Sequence, residues 1–202
     1  MILPNEILNF IKGLWPMLLL FIIVISSIRI MDIVLNKKKL VLHQDLMNLM
    51  FIIYLFLLFQ LVTTTDFESY SNNFIPFKEI MRYKIDSSLF YRNVVGNIIL
   101  FVPFGYLVSY YMKKPKYYGI LLLTFITSLS TEVIQMYIGR SFDIDDILLN
   151  FIGGLIGFLI FKIQSKIIEK LPNFLKKSWL ADLLVVVLFG IVMVGIYYIL
   201  WR

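Results

Sequence analysis

The chain has 202 residues, of which 60% are hydrophobic and 16% charged, with a mean hydropathy of +0.85; a soluble domain is about half apolar and about a quarter charged. It carries no cysteine and one histidine, His43, which excludes disulfides, thiolate nucleophiles, cysteine-ligated metals, a multi-histidine metal site and a Ser-His-Asp triad near the polar residues discussed below. The formal charge of +6 belongs to the connections of a membrane protein rather than to a basic nucleic-acid-binding domain, because no soluble segment is present to form one.

The expected fold is all-α: a single polytopic membrane domain over residues 1–202, a bundle of about six transmembrane helices. Ile7 to Ile30 is the first apolar run and is long enough to span. Its flank carries Glu6 and Lys12, and no small-x-small cleavage pattern follows it, so it reads as a retained span rather than a signal peptide. Asp32 to Asp45 forms a connection with Lys37, Lys38 and Lys39, and His43 reads as a loop residue here. Leu46 to Thr65 is the second span.

Asp66 to Arg92 is the longest connection, with four acids balancing four bases. Within it, Asn73-Phe74-Ile75-Pro76-Phe77 is followed by Ile80, Met81 and Ile85 among charges. Two readings stand side by side: an interfacial or re-entrant segment at the headgroups, and a plain connecting loop.

Asn93 to Met112 is the third span, with Pro103 inside it, where a bend is expected. Tyr117 to about Ile138 is the fourth and holds a carboxylate, Glu132, well inside it. Asp146 to Phe161 is the fifth. Lys162 to Leu180 is basic and reads either as an amphipathic surface helix or as a solvated loop. Residues 182–201 form the sixth, ending in Tyr197, Tyr198 and Trp201 as an aromatic belt would. The connections after spans one, three and five carry three, three and five lysines, which predicts that these loops are cytoplasmic and both termini outside.

The polar residues of spans three to five all fall toward the same end: Asn97, Glu132, Gln135, Arg140, Asp143, Asp146 and Asn150. An ionised carboxylate in an apolar span is costly, so Glu132 is a functional candidate by default. Ser128, Glu132 and Gln135 share one helix face. At 1.5 Å per residue Glu132 lies roughly 9 Å below its helix end, and Asn97 and Asn150 roughly 6 Å below theirs, so the three reach a common depth. Asp143 and Asp146 have a simpler reading as helix caps, and Asn97 and Asn150 as interhelical hydrogen-bond partners. Gly153 and Gly157 form a G-x-x-x-G spacing that admits a close helix neighbour, within the chain or from a partner.

These same residues carry a family resemblance. Asn73 to Phe77, Asn97 to Gly105, Ser130 to Gln135, Arg140 to Asn150 and Gly153 to Gly157, in that order and spacing, resemble the VanZ-like family of bacterial membrane proteins over a core of about residues 46–162. The resemblance implies a multi-pass protein of the cell membrane whose name-giving member is associated with low-level resistance to teicoplanin, a lipidated glycopeptide acting on cell-wall precursors. The expectation is a protein that binds or modifies a lipid-linked or amphiphilic molecule, such as a membrane lipid or a lipid-linked cell-wall precursor. Glu132, Asp143 and Asp146 are then catalytic candidates, Asn97, Gln135, Arg140 and Asn150 hold the headgroup, and no cofactor or metal is expected. A carboxylate acid–base enzyme on lipid headgroups, a proton-coupled transporter and a structural helper of another membrane protein are the competing readings.

Overall fold

The computed structural model describes residues 3–38, 41–63, 72–112 and 115–170, with isolated positions beyond (172, 179–180, 183, 186–187, 190 and 194). Among the described residues there is no strand, and the helices run in the order α1 (Leu3–Leu35), α2 (Leu42–Thr63), α3 (Lys78–Arg82), α4 (Ser88–Phe90), α5 (Gly96–Tyr111), α6 (Tyr117–Tyr137) and α7 (Ile144–Lys170). A π-helical turn, Tyr91–Val95, joins α4 to α5 and makes one helical run from Ser88 to Tyr111. That run, α6 and α7 are long and apolar enough to cross a membrane.

Expected and observed boundaries agree closely at α6 and differ elsewhere for identifiable reasons. Helix α1 reaches Leu35 because Asn36 and Lys38 carry its hydrogen bonding on, their backbone N–H groups donating to Asp32 and Ile33 carbonyls. Helix α2 begins at Leu42, so His43 sits in its first turn and not in a loop. Helix α7 runs nine residues past Phe161, because hydropathy marks where a span meets charge whereas the helix itself continues through Lys162, Lys166 and Lys170, four apart on one face. The expected sixth span falls mostly outside the described residues, and so does its aromatic end.

Among the described residues, helices α5 and α7 make the tightest contact, and glycine permits it. A Cβ on Gly153 would fall on the Ile98 carbonyl, one on Gly157 on the Val102 carbonyl, and one on Gly105 on the backbone of Gly154, all closer than 3.0 Å. Gly154 faces Thr124 of α6 just as closely. The neighbour admitted by the G-x-x-x-G face is thus α5 of the same chain, with α6 alongside. Between lipid-embedded helices there is no hydrophobic driving force, so this backbone-to-backbone packing is what holds the pair.

On its other side α5 packs on α2, where Met47, Tyr54 and Leu58 are buried against Phe101, Phe104, Tyr106 and Leu107. Pro103 lies inside α5 and removes one backbone donor there, and the helix continues through it. In the same turn Tyr54 donates its hydroxyl to the Leu100 carbonyl at 2.9 Å, tying α2 to α5. Helix α1 joins α2 through Phe21 on Phe56, ring centroids 5.0 Å apart, and through Arg29, which bonds Asp45 at 2.6 Å and Asp32 at 2.8 Å.

Candidate functional site

The site is built by the turn between α6 and α7. Helix α6 ends in a glycine cap: Gly139 takes φ +90°, the Gly139 N–H donates to the Met136 carbonyl (3.3 Å), and the Arg140 N–H donates to the Gln135 carbonyl (2.9 Å). This left-handed step, open to glycine at no steric cost, folds Arg140 back over the last turn of α6. The Gln135 amide, with its nitrogen toward Glu132 and its oxygen toward Arg140, then donates to Glu132 Oε1 at 2.9 Å and accepts from Arg140 Nη1 at 3.0 Å. Only that orientation satisfies both neighbours. Glu132 and Arg140 are therefore linked through Gln135.

Glu132 is 2% exposed. Its second oxygen, Oε2, accepts the backbone N–H of Asp143 at 2.8 Å, so both carboxyl oxygens have partners. Asp143 in turn accepts from the Asp145 N–H (2.9 Å) at the start of α7, the capping role that an acid at this position suggests, and from the Asn73 side-chain amide (2.8 Å). Burial pushes the Asp143 carboxyl above its ordinary range, with the Asp145 and Glu79 charges acting in the same direction; the Asp145 N–H and the Asn73 amide oppose the shift.

Asp146 does not cap. It faces α5, where Asn97 Nδ2 donates to Asp146 Oδ1 at 2.5 Å, and it lies within electrostatic range of Glu132, Asp143, Asp145 and Arg140. One turn deeper, Asn150 Nδ2 donates to Ser128 Oγ at 2.9 Å, while buried Asn150 Oδ1 has no partner among the described residues. All seven residues singled out from the sequence thus belong to one neighbourhood, arranged in two tiers: Asn97, Glu132, Gln135, Arg140, Asp143 and Asp146 toward the helix ends, and Asn150 with Ser128 beneath. Among the described residues no group of three His, Asp or Glu side chains is placed to hold a metal ion.

Two residues that define the site were not singled out from the sequence as candidates, Asp145 and Asn73. Asp145, 1% exposed, accepts backbone N–H groups from Phe77 (2.5 Å), Glu79 (2.8 Å) and Ile80 (3.2 Å), fastening α3 and the loop before it to the start of α7. Asn73 forms an isolated parallel bridge with Asp143: its N–H donates to the Phe142 carbonyl (2.8 Å) and its carbonyl accepts from Ile144 (3.1 Å). Its side-chain oxygen accepts from the Ile75 N–H at 3.1 Å, setting a tight turn. The signal that marks both residues is their place in the matched stretches Asn73 to Phe77 and Arg140 to Asn150, which the structure lays against each other.

Phe77 closes that turn at φ +66°, a left-handed conformation that costs a non-glycine residue about 1–2 kcal/mol. The Asp145 carboxylate on its N–H holds it there. Phe77→Gly is accordingly expected to be more stable than Phe77→Ala by about 1 kcal/mol, since both lose the ring and only glycine relieves the backbone; parallel thermal unfolding in detergent measures the difference.

A helical membrane protein with its buried acids, amides and one guanidinium gathered at the ends of three packed helices is the class these features define. The chain belongs to the VanZ/LLP1 family, whose model matches residues 13–165. Protein VanZ of Enterococcus faecium is 28% identical to it over 127 residues, 60% of this chain and 71% of that protein. No solved structure matches it.

Proposed function

We propose that the protein acts in the cell envelope by holding the polar headgroup of a lipid-linked or amphiphilic molecule at this cluster, and thereby contributes to low-level resistance to teicoplanin-type lipoglycopeptides. The observation that supports this best is Glu132, buried in an apolar helix yet joined through Gln135 to Arg140 at the helix end. A structural role would be served as well by an apolar side chain, since a buried ionic network is weak support for stability.

The cluster suits a headgroup that offers both an anionic group and hydrogen-bond donors. Arg140 presents a planar fork of donors to the first. The carboxylates of Glu132 and Asp146 take hydroxyl or amine donors, and buried Asn150 Oδ1 one turn deeper is an acceptor without a partner among the described residues. Glu132, Asp143 and Asp145 act on Asp146 together with Arg140, and this excess of acids over the guanidinium disfavours a bare polyanion and favours a headgroup with amino or hydroxyl substituents. With both termini outside, as the lysine-rich connections predict, the cluster faces the outer leaflet, where such amphiphiles insert.

The test is Glu132→Gln expressed in a teicoplanin-sensitive host. It keeps the shape and the acceptor for the Asp143 N–H while removing the negative charge. The expected result is loss of the protection given by the unaltered protein at equal membrane abundance; full protection by the variant would remove Glu132 from the proposed function.

A further inference from the structure

In residues 72–89 the Asn73 side chain and several backbone N–H groups are turned inward, while large apolar side chains lie outward among exposed charged ones. Asn73 is buried on the α6–α7 turn, and the N–H groups of Phe77, Glu79 and Ile80 are taken by buried Asp145. Phe74, Met81 and Ile85, in contrast, are 63%, 81% and 72% exposed, and Ile75, Phe77 and Leu89 are exposed beside them. A loop bathed in water has the opposite arrangement, because an exposed apolar group gains nothing there and a backbone donor is satisfied by solvent.

Three observations identify what covers this surface. The segment is fastened to the α6–α7 turn and the start of α7, and both helices are long and apolar enough to cross a membrane, so it lies at the level where hydrocarbon meets headgroups. Tyr137 and Met136, in the last turn of α6 just before the turn to which the segment is fastened, are exposed as well. Exposed Lys78 and Lys84 are interleaved with the apolar side chains, the mixture in which lysine stems lie along acyl chains and their ammonium groups reach phosphates.

We propose that residues 74–89 form a lip inserted into the lipid interface on the side of the polar cluster, with Phe74, Phe77, Met81 and Ile85 in the headgroup–acyl boundary. The occupant of this surface is the bilayer itself, not a second protein. Phe74 stacks on Phe142, ring centroids 5.2 Å apart, and Phe142 adjoins Asp143; the lip therefore places the cluster next to lipid headgroups instead of open water.

The chain has no cysteine, so single cysteines report position without a background. Met81→Cys, Ile85→Cys and, as a polar reference, Asp86→Cys are spin-labelled in the full-length protein, reconstituted in vesicles of phosphatidylethanolamine and phosphatidylglycerol. Collision rates with oxygen, which partitions into lipid, and with a water-soluble nickel chelate are then measured. Labels at 81 and 85 are expected about 5–10 Å below the phosphates, with an oxygen-to-nickel ratio about tenfold above that at 86. Ratios equal to that at 86 would overturn the proposal. So would labels shielded from both reagents, the signature of a protein partner or a second copy.

Discussion

Gly157→Ala is expected to unfold the protein at markedly lower temperature, at a cost of at least about 3 kcal/mol, the upper end of ordinary overpacking. The added methyl would meet the Val102 carbonyl, the Tyr106 nitrogen and the Gly105 carbonyl carbon, all backbone atoms of α5 that no rotamer change can move aside. The helices must separate, and separation also loosens Gly153 from Ile98 and Gly105 from Gly154. Because Asn97 meets Asp146 across the same interface, the variant should lose function together with stability. Gly119→Ala is the control: its methyl meets only a methionine side-chain carbon at 3.6 Å, and alanine is the better helix former by about 1 kcal/mol. Differential unfolding in detergent, followed by ellipticity, separates the two; equal tolerance would contradict the close contact of α5 and α7.

Asp145→Ala is expected to release the lip while leaving the helices assembled. The substitution strips the charged acceptor from three backbone donors at once, at about 1.5–3 kcal/mol for each charge-assisted bond before water replaces it. It also removes what holds Phe77 in its left-handed turn. The expected readout is hydrogen exchange: the amides of Phe77, Glu79 and Ile80 lose protection, whereas those of α5 and the middle of α7 keep theirs. Asp145→Asn, with one acceptor oxygen in place of two, should fall between. Unchanged protection at the three amides would mean that something other than Asp145 fastens the segment.

How much of the site is legible in the sequence depends on whether a residue's partner is near in the chain. The face of Ser128, Glu132 and Gln135 was legible from helical spacing, and the common depth of polar residues on three helices pointed to their meeting. Asn97 was placed at that depth although its helix begins earlier than hydropathy indicates, at Ser88, because the π-helical turn carries polar Arg92 and Asn93 inside the helical run. The link from Arg140 to Gln135 was not legible, since it depends on the dihedral of Gly139. Nor was the separation of roles among three neighbouring acids. Asp143, Asp145 and Asp146 look alike in sequence, yet one caps α7, one grips a loop more than sixty residues upstream, and one faces α5. Those assignments are made by backbone groups far away in the chain, which no local pattern encodes.

Helix α7 carries acids at one end and lysines at the other, and the stretch between them, Ile147 to Phe161, is uncharged over fifteen residues. At 1.5 Å per residue it measures about 22 Å, short of the roughly 30 Å of a hydrocarbon core. Lysine can stretch toward its own surface, but Asp145 and Asp146 are tethered within the fold and cannot. On the proposed placement of the cluster at the outer leaflet, dimpling of that leaflet on the acidic side is the expected way to meet the shortfall, to a depth that follows membrane thickness. A thicker, more ordered bilayer would then have to deform further to bring headgroups near Glu132 and Arg140, so the proposed function is expected to depend on lipid chain length.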